Sequence, residues 1–185
     1  MEYSQEKIAE LFSVIVAGED NNAFIAADKL AEIGGEEIVN TLVALLSSSS
    51  YDTVHLAARA LSKCQDNGLA TEAVFELIKN GKEPFVKGIL TDALSGFDCS
   101  EYFVEVFKLY LFGNFKVSAM AKEILDNEEF AITPRVIRKA EKHWKHYEHN
   151  VKLDEDFNQK KEETEFMFTT MKSLFEGESI EEEED

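Results

Sequence analysis

Proline is nearly missing from this 185-residue chain, with two residues, and glycine is sparse at nine. Proline removes a backbone donor and clashes inside a helix, and glycine weakens helix interiors, so their scarcity leaves long stretches free to run helical. Cysteine is limited to Cys64 and Cys99. A chain long enough to bury its own core needs no disulfide framework, and the two thiols are expected to be reduced and partly buried. No segment approaches the roughly 20 uninterrupted apolar residues of a membrane span, and residues 1–10 carry glutamates where a secretion signal carries a basic start. The expectation is a cytoplasmic protein with no membrane partner. Positive charge is the last scarcity: 19 Lys and Arg stand against 37 Asp and Glu, a net charge of −18. Such a field speeds the approach of basic partners and penalises phosphate backbones, which disfavours nucleic acid as a ligand.

Hydrophobic residues, in contrast, make up 44% of the chain, more than a disordered polypeptide carries. The length fits one folded unit. Charge is unevenly spread: −7 over residues 1–50, −3 over 51–115, +2 over 116–153, −4 over 154–177 and −6 over 178–185.

A repeat emerges when Leu30, Leu61, Leu94 and Leu125 are aligned, at spacings of 31, 33 and 31 residues. Four positions before them stand Ala26, Ala57, Leu90 and Ala121; five before, Ile25, Leu56, Ile89 and Met120. These offsets predict an apolar stripe on each of four helices, and the recurring alanine lets helices approach closely. After each comes a break and a second apolar helix: Glu36 to Leu46 after Gly34-Gly35, Ala70 to Asn80 after Asn67-Gly68, Glu101 to Phe112 after Ser100, and a last one from Pro134 to about His149 after Thr133. Gly34-Gly35 can close a helix in the left-handed conformation. Asp52, Ser100 and Thr133 read as N-caps, and Pro134 sits where its missing N–H costs nothing.

A helix pair of this size cannot bury its apolar face alone, so pairs must stack, and a period in the low thirties points to a solenoid. Residues 22–50 and 51–83 resemble short HEAT-like repeats of bacterial type, with Leu56-Ala57-Ala58-Arg59-Ala60-Leu61 the best match. Units 84–115 and 116–150 are degenerate, Leu90 replacing the small residue. The resemblance implies an all-α fold, an alpha-alpha superhelix of about four helix pairs over 19–150. A capping helix is expected at each end, 1–18 and 151–177. The first uses Ile8, Leu11, Phe12, Ile15 and Val16. The second, from about Asp154, uses Phe157, Phe166, Phe168, Met171, Leu174 and Phe175. The run 178–185 has too little apolar surface to fold and is expected to be a disordered acidic tail.

The resemblance also implies that second helices line a concave face, and their acids recur. Glu36 and Glu37 open the first; Glu72 and Glu76 lie one turn apart on the next, as Glu101 and Glu105 do on the third. Like charges at this spacing cost a helix roughly 0.2–0.5 kcal/mol per pair. They read either as a socket for Lys and Arg or as acids favoured near helix N-termini by the dipole. On 102–112, Tyr102, Val106 and Tyr110 form one stripe and Phe103, Phe107 and Leu111 the next, so that helix is either buried on two sides or offers aromatic contacts. Arg135 to His149 is the one basic stretch, expected to face the acidic tail or Asp154 to Asp156. His143, His146 and His149 diverge around the helix and have no companion ligand at a recognised spacing, so no metal site is assigned. No phosphate loop, nucleophile elbow or Cys–His pairing marks an active site, so no catalytic residue or cofactor is assigned.

The resulting expectation is a non-catalytic protein-binding module, monomeric when free, that captures a basic protein on Glu37, Glu72, Glu76, Glu101, Tyr102, Glu105 and Tyr110. Its most concrete form is an immunity protein neutralising a cationic toxin such as a nuclease. The alternatives are a HEAT-repeat adaptor or scaffold and, among enzymes, a protein similar to HEAT-type bilin lyases.

Overall fold

A computed structural model describes residues 3–18, 20–81, 83–152 and 155–175. The acidic run 178–185 and Asp154 lie outside the described residues. Among those described there are ten α-helices, one 3-10 turn and no strand, so the chain is all-α. Among the described residues no helix is long and apolar enough to cross a membrane. Contacts divide the chain into two compact units, Met1–Cys99 and Ser100–Asp185.

The first unit holds α1 (Gln5–Ala17), α2 (Asn21–Ile33), α3 (Glu36–Leu45), α4 (Tyr51–Lys63), α5 (Gly68–Asn80), α6 (Pro84–Ala93) and the 3-10 turn Leu94–Gly96. Ser4, Asp20 and Ser50 cap α1, α2 and α4, each side chain accepting from the amide three residues on. Such a cap contributes about 1 kcal/mol. The α4 cap is therefore Ser50 and not Asp52, which lies inside the first turn, where the helix dipole favours its charge. Gly34 (φ 62°) and Gly35 (φ 91°) take the left-handed backbone expected between α2 and α3.

Helices α2, α4 and α6 pack in series, α3 packs on α4 and α5, and α1 covers α2 and α4. Their contacts follow the repeat. Leu30, Leu61 and Leu94 are fully buried, and so, within a few percent, are Ala26, Ala57 and Leu90 one turn earlier. Each large aliphatic side chain removed from water contributes roughly 1.5–3 kcal/mol. The position five residues back does not hold throughout: Leu56 is buried, but Ile25 is 54% exposed. The turn between α4 and α5 is tied to the turn after α6 by Asn67, whose Nδ2 donates to the Leu61 carbonyl (3.2 Å) and the Gly96 carbonyl (2.7 Å). Gly96 itself lies against the Ser62 carbonyl so closely that no Cβ fits.

The second unit holds α7 (Phe103–Phe112), α8 (Phe115–Asn127), α9 (Pro134–Asn150) and α10 (Glu155–Ser173). Thr133 caps α9 as expected, its Oγ1 accepting from the Val136 amide, with Pro134 in the first turn. Helix α7 begins later than its sequence indicates: Ser100 does not cap it, Glu101 lies in a preceding turn, and Tyr102 holds the cap position, its side chain not capping the helix. Helix α7 packs on both α8 and α9, burying Val106 and Tyr110 on one stripe and Phe103, Phe107 and Leu111 on the other. Phe107, fully enclosed, packs 5.7 Å from Phe168, while Trp144 and Tyr147 stack on Phe157 at 6.0 and 6.4 Å. These contacts anchor α10 through Phe157, Phe168 and Met171. Phe166 and Leu174, expected on the same stripe, are exposed instead.

Candidate functional site

In the first unit the expected contact residues sit on α3 and α5, which pack side by side. Glu36 and Glu37 occupy the first turn of α3, behind a Gly35 cap that offers no side-chain acceptor. Carboxylates there are stabilised by the unpaired first-turn amides, so both residues have a structural role as well as free charge. On α5, Glu72 is exposed. Glu76, one turn on, accepts from Lys79 Nζ and Asn80 Nδ2, both at 2.9 Å. Neither Glu37 nor Glu72 makes an ion pair among the described residues.

A second acidic group in this unit escaped the sequence reading. Asp28 on α2 receives Arg59 of α4 in a two-pronged bond, Nε at 3.0 Å and Nη2 at 3.1 Å, with Lys63 Nζ at 2.7 Å. Arg59 also lies 5.4 Å from the Phe24 ring centre. Burial works against the ionised Asp28, but the bonds from Arg59 and Lys63 outweigh it and hold the carboxyl below its usual value. The signal was available in the register: both residues stand two positions before an aligned leucine, 31 residues apart. Beside this pair, Glu32, Asp66, Gln65 and Gly34 line an open hollow of about 430 Å³. Cys64 and Cys99 are buried free thiols; burial, reinforced by Asp66, pushes the Cys64 thiol above its ordinary value.

In the second unit the expected residues separate. Glu101 and Glu105 are both exposed, yet they do not share a helix turn, since α7 starts after Glu101. Tyr102 is half-buried. Tyr110 is 3% exposed, and its hydroxyl donates to Glu163 of α10 at 2.7 Å. Burial and the Glu163 carboxylate both push that hydroxyl far above the ordinary tyrosine value. Tyr110 is thus a core residue and offers no aromatic surface to a partner. It lines a cleft of about 530 Å³ with Lys122, Asp156, Lys160 and Glu163. Lys160 is nearly buried there, its ammonium 3.3 Å from Asp156 and 5.5 Å from the ring centres of both Tyr110 and Tyr147.

Helix α9 buries Ile137, Ala140, Trp144 and Tyr147 and exposes Arg135, Arg138, Lys139, Lys142 and Lys145. The expected pairing of this helix with Asp156 is not made, because Asp156 pairs with Lys160 of its own helix. His143 is half-buried, and burial, with Lys108 and His146 adding, holds it below its usual value against the pull of Glu105. His149 Nδ1 lies 2.6 Å from the Lys145 carbonyl, and the His146 ring stands 5.9 Å from Phe112. Among the described residues no three His, Cys, Asp or Glu side chains converge. Neither a protein-family model, nor a curated protein, nor a solved structure matches this chain.

Proposed function

We propose that this protein is a non-catalytic binding module of HEAT-like architecture that captures a basic protein. The observation carrying this reading is the pair of adjacent helices α3 and α5, where Glu37 and Glu72 stand exposed and without ion pairs in a chain of net charge −18. Exposed carboxylates of this kind act mainly by steering: they raise the encounter rate with a cationic surface and impose orientation. Serial packing of α2, α4 and α6, with α3 on α5, supports a stacked helical repeat that presents its second helices as a row. The most concrete form is an immunity protein that covers the phosphate-binding, hence basic, surface of a toxin such as a nuclease. In the second unit, Glu101 and Glu105 are exposed carboxylates as well.

The test begins with capture of the partner from the native host and a titration of its affinity against salt. Reversal of Glu37, Glu72 and Glu76 to Lys should weaken binding at least tenfold at low salt and flatten the salt dependence. Affinity that survives these reversals unchanged excludes acidic capture by this flank.

A further inference from the structure

We propose that the exposed basic face of α9 is a docking surface for the chain's own acidic segment, residues 176–185. Arg135, Arg138, Lys139, Lys142 and Lys145 project over an arc of roughly 120° when placed on a helical wheel, with His146 and His149 inside the same arc. Five like charges at three- and four-residue spacings repel one another, each pair costing the helix roughly 0.2–0.5 kcal/mol. No carboxylate among the described residues forms an ion pair with any of them. The acids nearby are engaged or turned away. Glu141 pairs with Lys172 of α10, Asp156 with Lys160, and Glu163 accepts from Tyr110. Glu148 falls on the α10 side of the wheel, and Glu105 of α7 lies toward His143, beside Lys108.

Residues 176–185 hold seven acids in ten positions, the counterpart in charge to this face. The segment also starts in the right place. Trp144 and Tyr147 meet Phe157 at the start of α10, and Glu141, next to Lys145 and Arg138 on the wheel, meets Lys172 near its end. Phe175 therefore lies three residues past a contact with the middle of α9. Ten residues reach up to about 33 Å, and Arg135 to Lys145 spans about 15 Å, so the acids can lie along the whole basic face. Charge complementarity and reach both favour this occupant over nucleic acid, which the −18 net charge repels. The contact does not depend on which partner the α3 and α5 acids meet.

The test places a nitroxide on the full chain through Ile180→Cys, Cys64 and Cys99 being buried and slow to react. Paramagnetic broadening of backbone amides is then read at low and high salt. The expected result is intensity loss concentrated on α9 between Arg135 and His149, relieved at 0.5 M salt and in the R138Q/K142Q/K145Q variant. Broadening no greater on α9 than on other surfaces overturns the proposal. A second arm measures a fluorescent single-stranded oligonucleotide against the full chain and against a chain with Glu178 and Glu181 to Glu184 changed to Gln. Binding gained only after neutralisation supports the tail as occupant. Equal binding by both chains overturns it and assigns the face to nucleic acid.

Discussion

The Asp28–Arg59 pair joins equivalent positions of two successive repeats, and a double-mutant cycle with Asp28→Asn and Arg59→Gln measures what it contributes. Its geometry is favourable, a two-pronged contact at 3.0 and 3.1 Å with Lys63 as a second cation at 2.7 Å. Its setting is not buried: the three side chains remain 35–44% exposed, so solvent screens the charges. Exposed pairs contribute about 0.2–1 kcal/mol, and the forked geometry places this one near the top, with a coupling energy of about 1 kcal/mol. For a urea slope of about 2 kcal/mol/M, that is a midpoint change of about 0.5 M, well resolved by far-ultraviolet circular dichroism. The pH dependence follows from the depressed Asp28 carboxyl. Because the folded chain holds the proton less tightly than the unfolded chain, whose value is about 3.8, the contribution is full above that value. It fades as pH falls through the lower folded value. The cycle should therefore give about 1 kcal/mol at pH 7 and a smaller value once pH falls below the unfolded value of about 3.8. Coupling within about 0.3 kcal/mol of zero at pH 7, or coupling that grows as pH falls, refutes the argument.

Three further substitutions probe the packing. Lys160→Met should leave stability within about 1 kcal/mol of the parent or raise it, since Asp156 is 67% exposed and is rehydrated when its partner goes. Lys160→Glu, which sets a nearly buried acid beside Asp156 and Glu163, should cost about 3 kcal/mol or more in chemical unfolding followed by Trp144 fluorescence; a milder loss would mean that the cleft is wetter than its burial indicates. Gly96→Ala should lower the midpoint by an amount equivalent to about 1–3 kcal/mol, because the new methyl meets the Ser62 carbonyl of α4. A thermal melt unchanged from the parent would show that α4 and the 3-10 turn separate freely.

Much of this architecture was legible because helix signals are local. The aligned leucines and the small residues one turn before them mark the packed stripe in α2, α4 and α6, and Gly34-Gly35 and Thr133-Pro134 mark ends whose backbone demands are fixed by chemistry. Failures cluster where tertiary contacts compete with local preference. The fourth unit slips: Ala121 and Ile124 are buried while Leu125 is only half-buried. Helix α7 starts two residues after Glu101, which breaks the helical register expected of Glu101 and Glu105.

The sequence by itself determined the all-α class, the acidic balance, the repeat spacing and the positions of most helix ends, all properties of composition or of residues a few positions apart. Only the tertiary structure decided which faces are free. Tyr110 is withdrawn because α10 covers it and Glu163 receives its hydroxyl, whereas the basic side chains of α9 meet no carboxylate among the described residues, Asp156 pairing within its own helix. It also joined Asp28 to Arg59, residues a full repeat apart. The physical reason is common to all three: periodicity identifies an apolar or charged stripe, but which neighbour covers it depends on contacts between residues distant in the chain.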